Sequence, residues 1–325
     1  MKEWLGGIPN WLVNLISVIS GVVTIVTAIV SVIFFCLNPT KFYINGVLIT
    51  STFVFGSFCV LLFFRAKKYR NLSSKRITAL SFNYHHFLHT SRNVYYEVMK
   101  CWKDGKLTVE TLSSIYKGKL EHMLDDLCSI MFSMAGRDVS ACIKLVSPYD
   151  LKDNLDDCTL VTFCRSRNSA TARLQYDGSF SVKIKDNTDF YAVLHNENKD
   201  NCFYADDLRK IDKKLREVGK KYKNTNPNWE DYYIGTIVVP IRLKSNLLVE
   251  AKKYRDEDYD LLGFLCVDSI KADAFTKRQR ECNINIMHSF SDAIYVLLGQ
   301  YMHYMRKLEE KETVKATEKL DSVMR

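Results

Sequence analysis

Two uncharged stretches near the start constrain this chain more than any other feature. From Trp11 to Leu37 there are 27 residues without a formal charge, and Phe42 to Phe64 gives 23 more. About 20 apolar residues are enough for a helix to cross a bilayer, so the pattern predicts a two-helix transmembrane hairpin with spans at 11–37 and 42–64. A cleaved secretory signal needs a basic start and a shorter apolar run. Here Glu3 offsets Lys2, and a second apolar run follows the first. Residues 65–76 hold six basic side chains and no acid, whereas the loop at 38–45 carries Lys41 alone. The positive-inside rule then predicts residues 65–325 and the N-terminus in the cytoplasm, at a bacterial inner membrane, with the lipid bilayer as a partner. The same basic cluster also suits anionic headgroups.

The net charge of +9 is concentrated in that segment. The rest of the chain is nearly balanced, which argues against a nucleic-acid duplex as partner. Ten cysteines are scattered without a CxxC pair or zinc-ligand spacing. In a cytoplasmic setting they read as reduced, buried thiols, with a redox or metal role left open for Cys158 and Cys164. His85 and His89 stand four apart beside His86, but no HExxH pattern, Gly-rich phosphate loop or GxSxG accompanies them. The expectation is a protein that is not an enzyme, with no catalytic residues, no metal and no cofactor.

Beyond the basic segment the periodicity alternates between 3.6 and 2. Apolar residues from Ile77 to Trp102 predict an amphipathic linker helix, and those from Leu112 to Met134 a second, opening after Thr108 and ending at Gly136. Strands are predicted at 139–145, 159–164, 180–184, 236–241 and 261–268. Residues 188–203 read as irregular, 206–221 as a short charged helix, 224–229 as a loop and 244–258 as a hairpin loop. A final helix follows Thr276, which with Gln279 makes a capping-box arrangement. Its residues Ile284, Met287, Ser291, Ile294, Leu298, Tyr301, Met305 and Leu308 alternate in steps of three and four. That seam predicts a parallel helix pair between two copies, hence a homodimer or higher homo-oligomer through residues 284–308. The domains are then 1–64 (hairpin), 65–106 (basic segment and linker helix), 107–310 (sensor domain) and 311–325 (charged tail).

The order helix, three strands, loop-rich insert, two strands, long helix resembles a GAF domain. Four segments carry the resemblance: Phe203 to Leu208, Tyr232 to Ile241 with its Val-Pro-Ile step, Gly263 to Ser269, and Phe275 ahead of the terminal helix. It covers about residues 108 to 305. The implied fold class is α+β: a GAF-like antiparallel sheet flanked by helices, behind the hairpin and linker helix. The resemblance also implies a small-molecule cavity between one sheet face and residues 188–232, with Arg173, Tyr204, Asp206, Asp207, Asn224, Asn228, Trp229 and Tyr232 as candidate ligand-binding residues. The signatures of the cyclic-nucleotide-binding, bilin-attaching and methionine-sulfoxide-reducing GAF subsets are absent. Pro240 is expected to end its strand, and Gly263 to allow tight entry into the last one.

Two functions fit this layout. The first is a membrane-anchored cytoplasmic sensor whose cavity binds a small molecule, such as a nucleotide, and passes the change to dimer helices and the hairpin. The alternative is a membrane-disrupting or pore-forming effector of an anti-phage defence system, gated by a nucleotide signal.

Overall fold

The computed structural model describes residues 42–147, 155–169, 182–195, 201–242 and 261–324, with positions 25, 26, 29, 30, 32, 33 and 36 before them. The chain divides into two compact units, Met1–Thr78 and Ala79–Arg325.

In the first unit, the expected transmembrane hairpin is not supported. Among the described residues no helix is long and apolar enough to cross a membrane. Apart from those seven positions, the expected span at 11–37 lies outside the described residues. The stretch 42–64 is not a separate element. It opens helix α1 (Phe42–Lys103), which runs without a break through the basic segment and the expected linker helix. In that stretch Phe55, Phe58, Val60, Leu61, Phe63 and Phe64 are exposed.

The second unit is built on a sheet with long helices on one face and an insert carrying two short helices on the other. Helix α2 (Val109–Ala135) starts where Thr108 accepts a hydrogen bond from the Thr111 N–H at 3.1 Å. It stops at Gly136, whose φ of 65° gives the left-handed cap. Its buried stripe of Leu112, Tyr116, Leu120, Met123, Leu124 and Leu127 follows the expected 3–4 spacing. The strands are β1 (Ser140–Val146), β2 (Thr159–Arg165), β3 (Val182–Lys183), β4 (Phe203–Ala205), β5 (Gly235–Arg242) and β6 (Leu261–Ser269). All pair antiparallel in the order β3-β2-β1-β6-β5-β4. The expected α+β class with an antiparallel sheet is therefore found, with a sixth strand, β4, that the expected order did not contain.

Several local expectations are corrected. Of the expected third strand, positions 180 and 181 lie outside the described residues, Val182–Lys183 form β3, and Ile184–Asp186 turn into a 3₁₀ helix instead of continuing it. The stretch expected to be irregular contains helix α3 (Thr188–Leu194) and ends in β4, which pairs with β5. The charged helix is α4 (Leu208–Glu217). Pro240 does not end its strand: it sits inside β5, and its carbonyl accepts a 2.7 Å hydrogen bond from Ser291 Oγ. Helix α5 (Arg280–Met324) continues through most of the expected tail. The Thr276 and Gln279 side chains bond to each other, at 2.9 Å, so Thr276 does not cap a backbone N–H.

The heptad seam of α5 is covered within the chain. Ile284, Met287, Ile294, Leu298 and Leu308 are buried in one core with Leu120 and Leu124 of α2, Phe87 of α1 and Ile237 of β5. Tyr301 stacks near Tyr116 at 5.2 Å and Phe163 at 5.5 Å, and Tyr304 near Trp102 at 5.8 Å. Two helices and the sheet together cover a length that one sheet could not, so the seam carries no argument for a helix pair between copies.

Strand alternation separates two cores. Ala141, Ile143, Ile237, Val239, Leu265 and Val267 face the helices. Cys142, Val238, Phe264 and Cys266 face the other side, under the insert that holds α3 and α4. Two irregularities adjust the pattern. In β2, Cys164 pairs with Ile143 but Thr162 with Lys144, leaving Phe163 as the extra residue. In β6, Ile241 pairs with Gly263 and Arg242 with Leu261, so the alternation slips beside Gly263.

Candidate functional site

A cavity of about 400 Å³ lies against the sheet face away from α2 and α5. Its floor carries Cys142 and Lys144 of β1, Thr236 of β5, and Cys266 and Asp268 of β6. The bulge at Phe163 brings Thr162 and Arg165, three apart in β2, to the same side. The cover is Asn187, Asp189 and Phe190 at the start of α3, Asn224 to Asn226, and Tyr232 with Tyr233.

The cover is tied down by asparagines. Asn187 Nδ2 donates to the Lys183 carbonyl at 2.7 Å and to Thr225 Oγ1 at 2.8 Å, while its Oδ1 accepts from the Thr225 N–H at 3.0 Å. Both amide hydrogens are used, so Asn187 is a clamp rather than a ligand donor. The Thr188 N–H donates to the Lys223 carbonyl at 3.0 Å, and the Lys223 N–H to Thr188 Oγ1 at 2.7 Å. Asn224 Nδ2 donates to the Tyr233 hydroxyl, and its Oδ1 accepts from the Asn226 N–H at 2.9 Å. A loop rich in Asn and Thr folds this way because short amide side chains substitute for missing backbone partners.

Charge of both signs meets in the cavity. Lys144 Nζ donates to Thr162 Oγ1 at 3.2 Å, and Thr236 Oγ1 to Asp268 Oδ1 at 2.6 Å. Asp189 is 4% exposed. Burial pushes its carboxyl up to about 7, against a hydrogen bond from the Phe190 N–H that favours the anion. The Tyr222 hydroxyl is buried without a hydrogen-bond partner in the structure, and burial, with Asp189 behind it, holds it well above the usual phenol range.

Two sequence candidates, Asn224 and Tyr232, line the cavity. Arg173 lies outside the described residues. Tyr204 is on the helical side: its hydroxyl donates to the Thr276 carbonyl at 3.0 Å and accepts from Asn283 at 3.2 Å. Asp206 accepts from the Asp207 N–H at 3.0 Å and from Lys210 at 3.5 Å. Asp207 caps α4 and holds Arg209 through both carboxylate oxygens, a hydrogen-bonded pairing that keeps its carboxyl below the usual range. Asn228 is exposed at the start of a 3₁₀ turn. Trp229 is buried between Tyr222, at 5.1 Å, and Tyr233, at 6.3 Å.

The sequence reading passed over Lys144, Arg165, Asp189, Thr236 and Asp268. Lys144, Thr236 and Asp268 carried a usable signal, being polar residues on the second face of strands whose first face is apolar. Asp189 carried none, because its burial depends on the fold of the insert. Outside the cavity, His86 Nδ1 lies 2.7 Å from Asp126 Oδ2, joining α1 to α2. Among the described residues no group of three or more His, Cys, Asp or Glu could hold a metal ion.

No family model matches this chain, and no curated protein does. Among solved structures it is similar to the GAF domain of an Acinetobacter phosphoenolpyruvate-protein phosphotransferase, at 11% identity over 64% of this chain and 92% of that one, with a TM-score of 0.32. It is similar also to a type II free methionine-R-sulfoxide reductase from Thermoplasma acidophilum, at 14% identity, 57% and 95% coverage and a TM-score of 0.32. A protein described as a GAF sensor from Burkholderia vietnamiensis shows 12% identity, 62% and 92% coverage and a TM-score of 0.30.

Proposed function

We propose that this protein is a small-molecule-responsive module that binds, rather than transforms, a polar ligand in the cavity over β1, β2, β5 and β6. The observation that carries the reading is the position of the cavity. It lies on one face of the same strands whose other face packs α2 and α5. A ligand that fits one arrangement of β1 and β6 better than another shifts the helices by that difference in affinity and by nothing else. The lining supports a ligand with hydrogen-bonding groups of both kinds and an anionic or zwitterionic character, to meet Lys144 and Arg165 on one side and Asp189 and Asp268 on the other. A nucleotide meets that description, as does an amino acid derivative.

The test is native mass spectrometry of the full chain from its host, followed by calorimetry with the small molecule released. The expected result is a stoichiometric bound mass, with affinity lost in Lys144→Met and retained in Asn228→Ala. A protein that carries no mass and binds no member of a nucleotide and amino acid panel would overturn the reading.

We place the protein at a lipid surface, with residues 65–325 on the cytoplasmic side. Support comes from the 23-residue uncharged stretch at 42–64, the exposed Phe55, Phe58, Leu61 and Phe64 within it, and the six basic residues at 65–76.

A further inference from the structure

On the cavity floor two cysteines face each other. β1 and β6 pair antiparallel with Cys142 directly opposite Cys266, and both thiols lie on the cavity side. Directly opposed antiparallel residues keep their Cα atoms about 4.5–5.5 Å apart, inside the roughly 4.4–6.8 Å that a disulfide spans. Both cysteines are free thiols. On its other side Cys142 pairs in register with Arg165, and Lys144 stands two residues along the same face. A thiol between a second thiol and a guanidinium has what a reactive cysteine needs: stabilisation of its anion and a partner within reach.

We propose that Cys142 and Cys266 form a peroxide-reactive dithiol, in which a small hydroperoxide entering the cavity oxidises Cys142 and Cys266 resolves the product as a disulfide across β1 and β6. The Cys142 thiolate attacks one peroxide oxygen. An S–O bond forms and the O–O bond breaks. The leaving hydroxide takes the proton given up by Cys142 and departs as water, leaving a sulfenic acid. The Cys266 sulfur then attacks the Cys142 sulfur. The S–S bond forms and the S–O bond breaks, and the hydroxyl leaves as water with the Cys266 proton. Two thiols and one hydrogen peroxide become one disulfide and two waters, and the two electrons pass from sulfur to the peroxide.

The roles of the two thiols follow from their neighbours in the sheet. Cys142 stands in register with Arg165, and Lys144 is two residues along the same strand, so the cationic side chains favour the Cys142 anion and draw its thiol down. Cys266, in the next strand, has β5 rather than Arg165 on its far side, and burial holds its thiol up. Other buried cysteines lack this arrangement: burial in the helical core pushes Cys128 up to about 12 and raises Cys164. The pair is 2% and 3% exposed at the cavity floor, so a small peroxide reaches the sulfurs more readily than a bulky disulfide does.

The full chain, reduced and with no ligand added, is dosed with hydrogen peroxide, alkylated and mapped by peptide mass spectrometry. The expected first product is a linked peptide pair, Cys142 to Cys266, formed in wild-type protein. In Cys266→Ser, a dimedone adduct accumulates on Cys142. In Cys142→Ser, none appears on Cys266. The inference is overturned if exposed Cys282 is oxidised while Cys142 and Cys266 both remain thiols. It is also overturned if the disulfide forms equally fast with a bulky aromatic disulfide as oxidant. The wild-type map stands without the variants, and because no ligand is present its outcome is independent of whether the cavity binds one.

Discussion

Asp189 shows how one buried group sets a property of the whole chain. Its folded carboxyl titrates at about 7 because burial disfavours the anion, whereas the unfolded group titrates near 3.8. The folded state therefore holds a proton that the unfolded state has released, and stability falls as pH rises through that window. At about 1.4 kcal/mol per unit, the effect amounts to a few kcal/mol, complete near pH 7 and flat above it. Asp189→Asn keeps an oxygen for the Phe190 N–H and removes the charge. Urea unfolding at pH 5 and pH 8 is expected to give a drop for the wild type and nearly equal stabilities for the variant; an equal drop in both would assign the slope to another group. Gly263 makes a second residue-scale case. The sequence singled it out as an entry to β6, but it lies within the strand, and a Cβ there would stand 2.0 Å from the Lys144 carbonyl oxygen. Backbone cannot yield as a side-chain tip does, so Gly263→Ala is expected to cost more than about 3 kcal/mol in thermal unfolding. A loss below about 1 kcal/mol would mean that β1 and β6 part readily there.

At the scale of elements, what the sequence revealed and what it hid divide along local and tertiary causes. Helix α2 was legible because Thr108, Gly136 and the apolar stripe between them act within the element. Strands β1, β5 and β6 were legible because alternation or a branched apolar run marks them. Helix α3 and strand β4 were not, since seven- and three-residue elements owe their form to Asn187, Thr188 and the β5 ladder. The candidate site divided likewise: Asn224 and Tyr232 could be placed from the insert's position, while Asp207 and Trp229 proved to be a helix cap and a core residue. The seam of α5 had a legible period and an illegible partner, because a stripe of Leu, Ile and Met looks alike whether a second copy covers it or α1 and α2 do. Met287→Ala decides between these. Covered within the chain, the side chain is wholly buried and its loss is expected to cost about 2–5 kcal/mol. The lowered melting temperature should be the same at low and high protein concentration. A concentration-dependent melting temperature would place the seam between copies.

For the molecule as a whole, the two units differ in whether their apolar side chains have a core to enter. The unit at 79–325 buries most of its large apolar side chains in the two cores on either side of its sheet. The unit at 1–78 leaves large apolar side chains exposed along the described part of its helix, where Phe55, Phe58, Leu61 and Phe64 are each more than half exposed. On the proposed reading this apolar surface faces lipid, and the basic run that follows favours an anionic surface. Flotation of the full chain with vesicles measures it. Binding is expected to vesicles with anionic lipid, and to weaken with salt if the basic residues contribute about 1 kcal/mol each. Replacing Lys67, Lys68 and Arg70 with Gln would then reduce binding at low salt, while Phe55→Ser with Phe58→Ser would reduce it at any salt. Binding that survives the Phe pair and vanishes with the basic residues would make the attachment purely electrostatic, leaving the uncharged stretch without a role at the surface. A full chain that stays in the aqueous fraction with every lipid composition would remove the membrane from the proposed function altogether, and the cavity would then have to act through a protein partner on α1.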